Sequence, residues 1–142
     1  MANVYDVAQY ILEEHGEMTA MKLQKLVYYS QAWHIAWTDN VLFPERIEAW
    51  ADGPVCPALF AAHKGYFRVS KLRKGSAAEL TVDEKSTIRS ILKFYGDKSP
   101  QWLSDLTHME DPWRTARHGI PDKQPSSAEI TPQVLGEYYA SL

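Results

Sequence analysis

The stretch from Thr19 to Thr38 constrains this chain more than any other part of it. Thr19 is placed to cap a helix. Advancing about 100° per residue from Leu23 gathers Leu23, Leu26, Val27, Ser30, Trp33, His34 and Trp37 into one broad stripe. Tyr28 and Ile35 fall on the far side, and Lys22 and Lys25 share a third face. A helix that is apolar on two sides must be covered on both, so this segment is predicted to be the central helix of the fold. His34 lies inside the stripe with no histidine or carboxylate four residues away, which predicts a hydrogen-bonded core histidine rather than a ligand.

The rest of the chain is well punctuated. Asn3 can cap a helix through about Glu14, with Val4, Val7, Ala8, Ile11 and Leu12 inward and His15-Gly16 as its end. Ile47-Glu48-Ala49-Trp50 alternates like a short strand and runs into Gly53-Pro54-Val55-Cys56-Pro57, a rigid turn. Pro57 can open a short helix to about Lys64, and Tyr66 to Val69 is a second candidate strand. The capping box Thr81 to Glu84 opens a helix to about Tyr95, stopped by Gly96. Ser99-Pro100, Asp111-Pro112 and Thr131-Pro132 each start a later helix, because proline's missing N–H is one that a helix start never uses. The expectation is a mainly α fold of six or seven helices around the central one, with one short β-hairpin. No repeat or Gly/Ser linker divides the chain; Gly119 to Ser127 comes nearest, so residues 1–142 are expected to form a single domain. A chain of 142 residues should then expose about 7,400 Å² when folded.

Chemistry is easier to exclude than to find. A lone Cys56 permits no intramolecular disulfide and no cysteine-based metal site, which suits a reducing compartment. No apolar run approaches the roughly 18 residues of a membrane helix, and Met1 to Asp6 does not look like a signal peptide. A cytoplasmic protein is the expectation. Histidines at 15, 34, 63, 108 and 118 show no metal-ligand spacing, and His108 to Asp111 is explained by a helix end. Cys56 sits between Val55 and Pro57 with no adjacent base, and there is no nucleophile elbow or phosphate-cradling glycine loop. No catalytic residue, metal or cofactor is expected. Helix, turn, helix from Asn3 to Trp37 has the outline of a DNA-binding motif, but the second helix is too apolar to lie in a groove.

Charge offers a positive signal. The net charge is −3, yet Lys64, Arg68, Lys71, Arg73 and Lys74 fall in residues 61–75 without one acid, a local +5. Such a segment is either a solvated loop or a contact surface for an anionic partner. Tyr66 and Phe67 within it, and Tyr138-Tyr139 near the C-terminus, are candidate aromatic anchors.

Several strings together resemble one known family. Met18-Thr19-Ala20-Met21-Lys22-Leu23-Gln24-Lys25-Leu26-Val27-Tyr28-Tyr29 with Trp33-His34 is similar to the opening signature of the Panacea domain of SocA-like antitoxins and phage-associated proteins. Pro44, Ile47 to Trp50, Gly53-Pro54-Val55-x-Pro57, Phe94-Tyr95-Gly96, Leu103-x-x-Leu106-Thr107-His108 and Pro112-Trp113-x-x-Ala116-Arg117 follow in order. The resemblance implies a bacterial or phage antitoxin that neutralises a cognate protein toxin by direct contact. It also implies a variant role, as an adaptor presenting the toxin to a protease, with a protease or chaperone as further partner. Autoregulation through the helix-turn-helix-like segment is the third reading. Lys22, Leu23, Gln24, Lys25, Trp50, Gly53, Pro54, Pro112 and Trp113 are expected to define the fold. Cys56 departs from the family's usual β-branched aliphatic residue. Residues 64–80 and 119–131 match poorly, which makes Lys64, Tyr66, Phe67, Arg68, Lys71, Arg73 and Lys74 the candidate partner-binding set.

Overall fold

Helix boundaries fall where the capping residues put them. In the computed structural model, which describes residues 2–142, Asn3 and Asp6 form a reciprocal capping box at the start of α1 (Val4–His15), and Gly16, at φ 96°, ends it. Thr19 accepts from the Lys22 amide at the start of α2 (Ala20–Thr38). The Thr81–Glu84 box opens α4 (Val82–Tyr95), and Ser99 and Thr131 cap α5 (Pro100–Met109) and α7 (Pro132–Ala140). α3 (Pro57–His63) and α6 (Asp111–Ala116) also carry proline in their first turn. Asp111 is the first residue of α6 rather than its cap, a position taken by Glu110.

Among the described residues there are seven helices and five short strands. β2 (Ile47–Trp50) and β3 (Gly53–Val55) form an antiparallel hairpin, with Trp50 opposite Gly53 and Glu48 opposite Val55. β5 (Glu129–Ile130) lies on the other side of β2. The predicted strand over Tyr66 to Val69 is shorter: only β4 (Arg68–Val69) pairs, against β1 (Met18–Thr19) just before α2. Two-residue strands show no alternation, so this pairing has no sequence signature.

α2 is the centre, with α7, α4, α1 and α5 packed around it. Thirteen of its nineteen residues are buried, on every side. The two-sided apolar pattern produces that placement, but the third face is covered as well. Lys25 is 1% exposed, whereas Trp37, assigned to the inward stripe, is 54% exposed at the last turn. His34 is buried and its Nδ1 lies 2.8 Å from the Thr87 hydroxyl, as a core histidine should be. Tyr139 is also buried, against the expectation of a surface anchor. Its hydroxyl and that of Tyr29 both donate to Glu110 Oε1 (2.8 and 2.7 Å), and Tyr28 meets Tyr139 at 3.0 Å. The accessible surface is 7529 Å², close to the area expected from chain length.

Candidate functional site

The β2–β3 hairpin is held from two sides by the residues of the sequence motifs. Its two-residue turn makes Trp50 and Gly53 a hydrogen-bonded pair, so the polar groups of Ala49 and Pro54 point away from the hairpin. Pro54 therefore forfeits no ladder bond. Its carbonyl accepts from Lys25 Nζ at 3.3 Å. Gln24 pairs with Cys56, two residues beyond Pro54, as a strand would: its Oε1 accepts from the Cys56 amide (3.0 Å) and its Nε2 donates to the Cys56 carbonyl (3.3 Å). Gln24 Nε2 also meets His63 Nε2 at 3.0 Å. Three successive carbonyls also meet side chains from α5, α6 and the residue after it. Arg117 Nη1 donates to Ala49 (2.9 Å), Trp113 Nε1 to Trp50 (2.8 Å), and His108 Nε2 lies 3.2 Å from Ala51.

This suspension fixes Gly53. It has φ +124°, and a Cβ there would stand 2.7 Å from Lys25 Cε. Lys22, predicted to share a face with Lys25, goes elsewhere. Its Nζ donates to the Gly96 carbonyl at 2.6 Å, at the C-terminal end of α4, where a cation is favoured. Burial lowers the pKa of both lysines, with Lys25 pulled down to about 8 against the opposing field of Asp52.

Between the hairpin, the start of α2, α3 and residues 125–127 lies a groove of about 770 Å³. Met21, Trp50, Phe60 and Tyr66 give it an apolar, aromatic lining, and Trp50 and Phe60 meet edge to face at 5.1 Å. Several polar groups in its wall are already engaged, whereas among the described residues the Asp52 carboxylate and the Lys64 ammonium there form no ion pair. Glu48 holds Arg46 at 3.0 Å and accepts from Trp50 Nε1 at 2.9 Å, while Gln24, Lys25 and His63 make the bonds described above. Burial lowers the His63 pKa and pushes the neighbouring Cys56 thiol up to about 11, so that thiol stays protonated at neutral pH. Among the described residues, no group of three or more His, Cys, Asp and Glu side chains is arranged to hold a metal ion.

The seven residues assigned to partner binding are all exposed. They do not form one cluster. Lys64 and Tyr66 line the groove, and Phe67, 79% exposed, follows on the way into β4. Arg68 is tied to Glu17 at 2.7 Å. Beyond it the chain crosses α1: the Leu72 amide donates to Gln9 and the Ser76 amide to Asp6, and Lys74 Nζ lies 5.4 Å from the centre of the Tyr5 ring. Among the described residues Lys64, Lys71 and Arg73 form no ion pair. The basic stretch is thus a strap leading from the groove mouth across α1.

The sequence expectations omitted Met21, Phe60 and residues 125–127 from the site. A polar pair, Gln24-Lys25, set between Leu23 and Leu26 in a helix predicted to be covered on two sides is the available signal, since buried amide and ammonium groups need partners. Residues 23–114, nearly two thirds of the chain, match the family model described as "Antitoxin SocA-like, Panacea domain". No curated protein and no solved structure matches the chain.

Proposed function

Because the chain belongs to the SocA-like Panacea antitoxin family, we propose that it is the antitoxin of a toxin–antitoxin pair and neutralises its cognate toxin by direct protein contact, without catalysis. The family match carries this reading. The exposed aromatic and basic side chains between Lys64 and Lys74 support it, because they offer anchors and charge on a surface that folding leaves free. The engaged state of Gln24, Lys25 and His63 and the protonated Cys56 thiol favour binding over chemistry in the groove.

Residues Arg68, Lys71 and Arg73 contribute to toxin recognition in this reading. The direct test expresses the neighbouring open reading frame, which should arrest growth, with and without this protein, which should restore it. Reversal of all three charges to glutamate should impair the rescue; undiminished rescue refutes a role for the strap.

A DNA-binding regulator has weaker support. A recognition helix needs a row of exposed polar side chains, whereas only Met21, Trp37 and Thr38 of α2 are exposed. The adaptor reading shares toxin contact and adds toxin degradation: toxin that disappears after co-expression would favour it, and toxin that persists in a complex would favour sequestration.

A further inference from the structure

We infer that the groove between α2, α3 and the β2–β3 hairpin receives an extended, acidic segment of the toxin, which inserts one large apolar side chain among Met21, Trp50, Phe60 and Tyr66. Carboxylates flanking that side chain meet Lys64 and continue along the strap. The inference rests on the antitoxin reading and names the surface and the chemistry of its partner.

Three observations carry it. First, the groove has a size suited to a bulky side chain with its backbone, and its lining is aromatic. Met21 and Tyr66 remain 42% and 71% exposed beside it, an apolar exposure that only a partner would cover. Second, Gln24, Lys25, Glu48 and His63 in the wall are already bonded to the chain itself, so that part of the groove offers an occupant shape and apolar contact. Glu48 in particular is neutralised by Arg46 and the Trp50 indole. Third, the strap that leaves the mouth is basic, although the Asp52 carboxylate also lines the groove. The strap carries five cations and no acid in a protein of net charge −3, so every other segment together is acidic. Among the described residues Lys64, at the groove, forms no ion pair, and Lys71 and Arg73 follow along the strap. Long-range steering would turn an acidic segment towards this side and a basic one away from it.

The two parts of the surface have distinct readouts. A polyanion held by the strap alone would be indifferent to the groove lining and strongly salt-dependent. A segment anchored in the groove would be lost when the groove is filled, even with the strap intact. Ser127 is exposed at the groove edge, and so are Tyr66 and Lys64, so substitutions there should leave the core untouched.

The test selects a phage-displayed library of random short peptides on the full chain, then measures the enriched peptides by fluorescence titration. Acidic peptides bearing one conserved aromatic or large aliphatic residue should emerge. Their affinity should fall about tenfold or more for Ser127→Trp, Tyr66→Ser and Lys64→Glu, with thermal unfolding unchanged. Absence of a consensus, a basic consensus, or binding unaltered by Ser127→Trp overturns the inference, and a consensus dependent only on Lys71 and Arg73 does so as well. Growth rescue separates the two claims. If the wild-type chain fails to relieve the neighbour's growth arrest, the antitoxin reading fails. If it succeeds and Met21→Ser/Tyr66→Ser succeeds equally, only the groove assignment fails.

Discussion

Lys25 and Glu110 are buried charges whose contributions to stability run in opposite directions with pH. Lys25 is held at about pKa 8 in the fold, against 10.5 as the ordinary value, because burial disfavours its ammonium. Between those limits the unfolded chain binds more protons than the folded one, so the Lys25 contribution rises as pH rises. Relative to Lys25→Met, the wild-type unfolding free energy should gain about 3 kcal/mol across that window, measured by denaturant titration at several pH values. A flat difference would mean that the ammonium is solvated. Glu110 behaves conversely: burial raises its pKa, and the Tyr29 and Tyr139 hydroxyls only partly oppose the rise. Its contribution is complete below the ordinary carboxyl range and is lost as pH climbs through the folded value. Glu110→Gln should therefore be at least as stable as wild type at pH 7. Glu110→Ala should lose about 2 kcal/mol, because the Tyr29 hydroxyl is left without its acceptor. Gly53→Ala combines a strained φ with contact on Lys25 and should cost about 1–3 kcal/mol. Adding Lys25→Ala should relieve the contact and leave the backbone strain, so the two effects should be less than additive.

At the scale of elements, the hairpin depends on side chains supplied by helices, and the 119–128 segment on Arg117 just beyond α6. Arg117 donates to the carbonyls of Ala49, Pro121 and Gln124 at 2.7–3.0 Å and so ties that segment to β2. Arg117→Leu should expose residues 119–128 to proteolysis and faster amide exchange before the helices lose protection; simultaneous loss everywhere would show that the segment is not a separate unit. These dependencies also show what a sequence can reveal. Helix starts at Asn3, Thr19, Thr81, Ser99 and Thr131 were legible because a cap and its target amide lie within one turn. The β1–β4 pairing was not, since it joins Thr19 to Arg68 through strands too short to alternate. The sequence places Lys25 on a face but not in the core: helical geometry gives direction, and only distant groups such as the Pro54 carbonyl decide what covers it. Tyr139 illustrates the same limit, because nothing near it in sequence discloses the Glu110 carboxylate.

For the whole molecule, the ordered motifs converge on one construction. Side chains of α2 and α6 both bond to the hairpin, and the hairpin forms part of a groove with a basic strap at its mouth. No helix among the described residues is long and apolar enough to cross a membrane. The central claim is neutralisation by contact, and growth rescue tests it most directly. Co-expression with the product of the neighbouring open reading frame should restore growth to the wild-type chain's host, with the two proteins recovered as one complex. Arg68→Glu/Lys71→Glu/Arg73→Glu, still folded, should lose both. Growth that stays arrested beside abundant, folded wild-type protein would contradict the account.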